Sequence, residues 1–320
     1  MIPLVPIPVA PADGPFVSYA QNREDVVLWR ALGDIPNGRY VEVGANQPAM
    51  DSVTKAFYDR GWSGITIEPV HEYAEAHRAE RPRDTMVETV ITNQDTESIV
   101  LHEIAATGLS TIMDSVSLQH TEAGVRVVDR VVPAMQLSEV IEQHGGLGQE
   151  VHFMLVDTEG SEEQVLTSVD LGVFRPWVLV IESTAPNSVR QTHHAWEPMV
   201  LEAGYVFCQF DGLSRYYVAK ERAALREAAL SYPACPHDRY VDAPAYALGK
   251  EREQLIGDAR RWRAEALTRW AEAVVVTSRE SRVVSAELEA ARHEVAALRS
   301  SMSWRITAPM RALHTLMSRR

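Results

Sequence analysis

The chain has 320 residues, 46% of them hydrophobic and 23% charged, a composition that excludes a disordered or fibrous protein and leaves room for one large domain with an appendage. Charge is unevenly placed: after residue 244, fourteen Lys and Arg stand against nine Asp and Glu, whereas the first 244 residues hold seventeen against thirty-five. An acidic body lacks the basic clusters that grip a polyanion, so no nucleic-acid partner is expected, and two cysteines, Cys208 and Cys235, are too few for a disulfide framework or a zinc site.

Residues 1–15 are rich in proline, lack a basic region and read as an extended arm rather than a signal peptide. From Ser18 the pattern runs into a short helix ending at about Leu32. Strands are predicted at 39–43, 64–68 and 85–91, with helices at 50–59 and 71–80 between them. A more irregular stretch follows, containing Thr107-Gly-Leu-Ser-Thr111, and then a helix at 136–144, a strand at 151–157 and a helix at 161–169. Trp177-Val-Leu-Val-Ile-Glu182 is almost continuously apolar, as expected of a strand buried on both faces. Residues 205–210 and 215–219 read as two strands joined at Asp211-Gly212. A first body thus spans 16–222, followed by a linker at 223–244, a long helix at 245–302 and a basic amphipathic tail at 303–320.

This order predicts a doubly wound, mostly parallel α/β sheet ending in an antiparallel hairpin, with ligands outside the carboxyl ends of its strands where the chain reverses. Four strands end in an acid or a glycine loop: Glu42 to Gly44, Glu68, Asp157 to Gly160, and Glu182. A solvated strand end or a helix N-cap explains any one of these; together they point to a site. Gly44 permits a left-handed turn and close backbone approach, and Glu68 ends the strand whose acid holds a ribose diol in such folds. The loop lacks the third glycine of a pyrophosphate-binding turn. A cofactor with a ribose and no phosphate is therefore expected, and a nicotinamide-dependent oxidoreductase is disfavoured.

The motifs Ser18-Tyr-Ala-Gln-Asn-Arg-Glu-Asp25, Tyr40-Val-Glu-Val-Gly-Ala-Asn46, Phe57-Tyr-Asp-Arg-Gly-Trp62, Gly64-Ile-Thr-Ile-Glu-Pro69, Gly108-Leu-Ser-Thr111, Asp157-Thr-Glu-Gly160, Trp196-Glu-Pro198 and Phe210-Asp-Gly-Leu213 resemble, in this order, the FkbM family of S-adenosylmethionine-dependent methyltransferases over about residues 16–220. The resemblance implies a class I methyltransferase fold and O-methylation of a hydroxyl, often on a sugar, polysaccharide or polyketide. It also implies that Glu42, Gly44, Ala45 and Asn46 hold the methionine end of the cofactor and Glu68 its ribose. The family's usual Asp-Val-Glu-Gly and Asp-Val-Gly-Ala-Asn stand here as Asp157-Thr-Glu-Gly160 and Glu42-Val-Gly-Ala-Asn46, with charge kept in both.

A sugar hydroxyl is a poor nucleophile at neutral pH, so a positioned base or a divalent metal is expected beside it. Asp157, Glu159 and Glu182 offer three hard oxygen ligands suited to Mg²⁺, with Asp157 alternatively a direct base. For Glu159 and Glu182 the plain alternative is capping or a solvated strand end. His193 and His194, in the loop after the strand at 177–182, are candidate bases near pH 7, ahead of His144 and His152; adjacent loop histidines are otherwise simply surface.

In the tail, Val284, Leu288, Ala291, Val295, Leu298 and Met302 follow a 4-3-4-3-4 spacing, an a/d seam suited to self-association or to packing back on the body. Arg305, Arg311, Arg319 and Arg320 surround Ile306, Met310, Leu313 and Met317 at helical spacing, a pattern that can lie on an anionic membrane. Ser301-Met-Ser-Trp-Arg-Ile-Thr-Ala-Pro-Met-Arg311 is similar to stretches at the ends of bacterial glycosyltransferases. That resemblance implies a cell-envelope glycan acceptor and contact with a glycosyltransferase, while the two cysteines point to a cytoplasmic enzyme and the basic tail to the inner membrane surface. The rival reading is a catalytically degenerate domain acting as a scaffold through its coiled coil.

Overall fold

The computed structural model describes residues 14–104, 110–122, 124–145, 148–186 and 188–317. All but residues 14 and 15 of the arm expected at 1–15, the end of the basic tail and most of Thr107–Thr111 lie outside those residues. The chain divides into two compact units, one up to Leu248 and one from Gly249.

In the first unit the elements run β1 (Phe16–Ser18), α1 (Glu24–Leu32), β2 (Arg39–Val43), α2 (Lys55–Asp59), β3 (Ser63–Ile67), α3 (His71–Glu80), β4 (Thr85–Val87), β5 (Val90–Ile91), β6 (Ser98–Ile104), α4 (Asp114–Glu122), β7 (Val127–Met135), α5 (Leu137–Gln143), β8 (Phe153–Val156), α6 (Glu162–Thr167), β9 (Val178–Glu182), α7 (Glu197–Glu202), β10 (Tyr205–Phe210), β11 (Ser214–Ala219) and β12 (Tyr240–Asp242). Seven strands form the main sheet in the order β10-β11-β9-β8-β2-β3-β4. The ladders from β4 to β9 are parallel, and β11 runs antiparallel to both β9 and β10. The chain moves outward from β2 through β3 and β4, then returns to the other side of β2 as β8. The crevice of a doubly wound sheet opens at such a reversal.

Strand alternation divides the interior in two. Val41, Val43, Ile65, Ile67, Met154, Val156, Leu179 and Ile181 cluster on one face with Leu137, Val140 and Ile141 of α5, Val165 and Leu166 of α6 and Val200 of α7. Tyr40, Phe153, Leu155, Val178, Val180, Tyr216 and Val218 meet Val27, Leu28 and Leu32 of α1 and Phe57 of α2 on the other. Each fully buried Val, Leu, Ile or Phe contributes roughly 1.5–3 kcal/mol relative to exposure, so both faces of the apolar strands are used, as their near-continuous hydrophobicity implied.

Several elements depart from the sequence-based expectation. The strand predicted at 85–91 is two: β4 closes the main sheet, and β5 joins a second sheet of order β5-β7-β6. That sheet occupies the stretch read as irregular, where Pro133 interrupts the apolar run of β7 and sequence alone argues against a strand. The helix expected at 50–59 starts only at Lys55, after Asp51 in a left-handed conformation at φ 55°. Residues 223–244, expected to be a linker, are packed on the body: β12 pairs parallel with β1, Leu230 is buried, and Arg30 of α1 donates to the Ala229 and Tyr232 carbonyls and pairs with Asp238.

The 58-residue helix α8 (Ala243–Ser300) begins in the first unit, with Ala243 and Tyr246 buried, and continues through the second. It stops at Ser301, whose ψ of 150° breaks the helix and whose side chain accepts from the Trp304 amide to cap α9 (Met302–Ile306). A last helix, α10 (Ala308–Met317), follows. Met302 therefore lies beyond the continuous helix, and the seam inside α8 ends at Leu298. Among the described residues no helix is long and apolar enough to cross a membrane.

Candidate active site

A cleft of about 560 Å³ opens at the carboxyl ends of β2, β3, β8 and β9, within the size range of small-molecule sites. Its floor is the turn after β2. Gly44 has a φ of +85°, and a Cβ built on it would lie 1.7 Å from the Asp157 carbonyl oxygen. Only glycine fits there, for two independent reasons: the left-handed backbone and the backbone approach from the end of β8. Hydrogen bonds fix this contact, with Gly44 N and Ala45 N each 3.0 Å from the Ile67 carbonyl and Asp157 N 3.0 Å from the Val43 carbonyl.

Glu68, 5% exposed, accepts from Asn46 N through Oε2 and from Val70 N through Oε1, both at 2.8 Å. A carboxylate has about four acceptor positions, so each oxygen keeps one for a ligand. Burial pushes its pKa up to about 7, against the pull of those two amides. Asn46 is itself left-handed at φ 47°, its carbonyl receives a hydrogen bond from His77 Nε2 at 3.0 Å, and its side-chain Oδ1 is buried with no partner.

Glu42 lies under the turn, 2% exposed. Its Oε2 accepts from Thr54 Oγ1 at 2.5 Å, and Thr54 in turn receives Arg81 Nη2 at 2.7 Å. Arg81 is buried and also donates to Tyr40 Oη, Ser52 Oγ and Asp84, while Asp84 accepts from Gly64 N and Tyr40 Oη. This chain of bonds ties α2, α3, β2 and β3 together beneath the cleft. Desolvation raises the Glu42 pKa to about 7 even though the Arg81 charge lowers it.

On the other side stand Asp157, Glu159 and Glu182, with one carboxylate oxygen from each lying within 4.8 Å of the others. The register of β8 against β9, Val156 opposite Ile181, brings Glu182 beside Asp157. Glu159, at φ 52°, and Gly160, at φ 102°, curl the loop back towards them, and Glu162 Oε1 secures that loop by accepting from Thr158 N and Gly160 N. Burial raises all three pKa values, and the mutual repulsion of the acids raises those of Glu159 and Glu182 further. Oε2 of Glu159 and Oε2 of Glu182 are buried without hydrogen-bond partners. Thr111, whose hydroxyl donates to the Glu159 carbonyl at 3.0 Å, closes the side of the cleft.

Eight of the residues singled out from the sequence thus share one cleft: Glu42, Gly44, Ala45, Asn46, Glu68, Asp157, Glu159 and Glu182. His193 and His194, expected near the acceptor, are not among its described lining residues. His193 is buried against Trp196 with Nε2 3.6 Å from Glu197, and His194 is exposed on its outer side. Of the weaker candidates, His152 accepts from Arg39 N and packs against Trp62 and Trp177, and His144 is an exposed residue closing α5. Gln21, Asp51 and Tyr73 also line the cleft and were missed. Gln21 sits in the quoted Ser18–Asp25 motif, but nothing in the sequence separates Asp51, Tyr73 or the buried Arg81 from ordinary polar residues.

A sequence-family model described as the methyltransferase FkbM domain matches residues 42–207, which take in every acid of the cleft. The chain belongs to the FkbM methyltransferase family. Its seven-strand order, with β11 reversed between β9 and β10, is that of a class I methyltransferase. No relative among curated proteins matches. Among solved structures the chain is similar to a TehB-like SAM-dependent methyltransferase from Corynebacterium glutamicum (9% identity, 61% of this chain and 87% of that one, TM-score 0.34). It is also similar to an O-methyltransferase from Bacillus cereus in complex with SAH (11% identity, 63% and 84%, TM-score 0.31). At such scores the likeness adds nothing to the strand order itself.

Proposed function

We propose that this FkbM methyltransferase moves the methyl group of S-adenosylmethionine to a hydroxyl oxygen of an uncharged sugar or glycan. The observation that carries the reading is the convergence, at one chain reversal, of a glycine-constrained turn, an acid with free acceptor positions and a trio of carboxylates. Glu68 would receive the ribose hydroxyls, and the unpartnered Asn46 Oδ1 and the Glu42 carboxylate would receive the cofactor's ammonium group. When bound, the cofactor supplies an electrophilic methyl group on a cationic sulfonium.

The lining favours an acceptor of this class. Six acids and no Lys, Arg or His stand among the described lining residues, so no cation there would pair with a phosphorylated or carboxylated acceptor, and a neutral polyol suits the lining better. Ser110, Thr184 and Ser188 also line the space and offer hydroxyl groups suited to a polyol. Holding the attacking oxygen about 3 Å from the methyl carbon is the main contribution such a site can make. Asp157 would take the hydroxyl proton as the carbon–oxygen bond forms.

Three carboxylates, Glu182 buried and Asp157 and Glu159 half-buried, two of them with an unpartnered oxygen, also suit a hard divalent cation. Asp157, Glu159 and Glu182 would hold Mg²⁺, which would lower the pKa of a hydroxyl bound to it. Their close spacing and orphaned oxygens support the fit.

Calorimetric titration with S-adenosylmethionine should give a single site that Glu68→Ala weakens at least tenfold. No heat from wild-type protein would overturn the reading. Labelled cofactor incubated with neutral and acidic glycan extracts, with and without chelator, followed by mass spectrometry, would then identify the acceptor and the metal requirement.

A further inference from the structure

We propose that α8 joins two copies of this chain as a parallel, in-register coiled coil over residues 267–298. The a/d seam around Leu288 extends towards the amino end of α8, across Thr277 and Ser281, as far as Leu267. Taking Leu288 as a, the a positions are Leu267, Val274, Ser281, Leu288 and Val295, and the d positions are Trp270, Thr277, Val284, Ala291 and Leu298. Leu267, Trp270, Val274, Val284, Leu288, Val295 and Leu298 are all between 43% and 66% exposed in the single chain. Thr277 and Ser281 divide the stripe into two apolar stretches on one face, 267–274 and 284–298, and such a stripe on a helix marks an interaction surface.

The ends of the stripe are set by physics. On the amino side the preceding a and d positions are Arg260 and Arg263, which would face their own copies across a two-fold axis. On the carboxyl side Ser301 breaks the helix. Between them lie 32 residues, a span of about 48 Å at 1.5 Å per residue.

The flanking charges select the occupant and its direction. The last three g positions hold Glu280, Glu287 and Glu294, and the last three e positions Ser285, Arg292 and Arg299, the earlier flanks being the uncharged Ala271, Ala273 and Ser278. In a parallel dimer each g residue faces the e residue five places on in the other copy. That pairs Glu287 with Arg292 and Glu294 with Arg299, each twice by symmetry, and leaves Glu280 opposite a neutral serine. An antiparallel pair would set g against g and e against e, so Glu would meet Glu and Arg would meet Arg. Within the single chain, among the described residues, none of these four charges forms an ion pair, so all are free for a second copy. A lipid surface would not require acids and bases on opposite flanks of the stripe.

Sedimentation equilibrium of the full chain should give twice the mass of one 35.7 kDa chain, and Leu288→Asp with Val295→Asp should return it to monomer. Glu287→Lys with Glu294→Lys turns four attractive pairs repulsive and should raise the dimer dissociation constant by roughly tenfold or more. An antiparallel dimer, already like against like on both flanks, would not be weakened. Direction is read directly with Leu298→Cys in a Cys235→Ser background: near one end of the seam, it forms an intermolecular disulfide on mild oxidation only if the helices run parallel. A wild-type monomer at 50 µM, a trimeric mass, a dimer indifferent to the Glu→Lys pair, or no disulfide would each overturn the proposal. The altered residues, all exposed but the half-buried Cys235, lie outside the cleft, so cofactor binding reports separately on the folding of the body.

Discussion

Gly44→Ala separates two effects that glycine conservation arguments usually merge. A non-glycine residue in the left-handed region costs about 1–2 kcal/mol, and at φ +85° that strain applies in full. The added methyl would also sit 1.7 Å from the Asp157 carbonyl oxygen and 2.9 Å from its carbon. This neighbour is backbone, pinned by the bond from Asp157 N to the Val43 carbonyl, so relief requires β2 and β8 to part where the turn is shaped. Overpacking of this kind costs typically about 1–3 kcal/mol, giving roughly 2–5 kcal/mol in all. Gly212→Ala is the control: its φ is +107° but nothing lies within 4 Å of the built Cβ, so only the conformational cost should appear. Urea unfolding of the two variants should differ by at least about 1 kcal/mol, and calorimetric titration with S-adenosylmethionine should show loss of affinity for Gly44→Ala alone. Equal midpoints and equal binding would refute the claim that the β2 turn is shaped by its contact with the end of β8.

Four further outcomes are expected. With its pKa near 7, Glu68 is mostly protonated at pH 6 and mostly ionised at pH 8, so cofactor affinity should rise about tenfold over that interval, and Glu68→Gln should flatten the profile. Burial raises the pKa of Glu24 to about 8; the folded state then holds a proton that the unfolded state releases, so this contribution to stability is complete below about pH 4.5 and is lost as pH rises towards 8. It amounts to roughly 2–5 kcal/mol, and chemical denaturation of Glu24→Gln across that range should show a shallower slope than wild type. Arg81→Met leaves Asp84 and Glu42 buried without their counter-charge and should cost about 3–5 kcal/mol, seen as a lowered urea midpoint. Turnover should fall by about 10²–10⁴-fold in Asp157→Asn, as for removal of a base, but stay within about threefold of wild type in His193→Ala and His194→Ala, because neither histidine lines the cleft; a larger loss in the histidine variants would return the base to that loop.

Much of the site was legible because strand-end chemistry is local. Glu42, Gly44 and Glu68 follow apolar β strands within a few residues, and their place at the carboxyl edge follows from the alternation of strands and helices. The metal candidates were legible only as separate strand ends. Nothing local says that Glu182 meets Asp157, which depends on β9 being the neighbour of β8 in matching register. The histidines lie outside the cleft's described lining for the opposite reason: position in a loop after β9 is local information, whereas the course of that loop depends on Trp196 packing against Tyr217.

The sequence by itself determined the parallel sheet, the turn after β2 and the heptad register of α8, because each follows from a short repeat of apolar residues or from the backbone freedom of one glycine. Only the tertiary structure decided that residues 85–91 serve two sheets, that 223–244 return to pair with β1, that Arg81 supports Glu42 from below and that Ser301 ends the seam. Those outcomes depend on pairings between residues far apart in the chain and on competition for buried hydrogen bonds, and no window of neighbouring residues contains either.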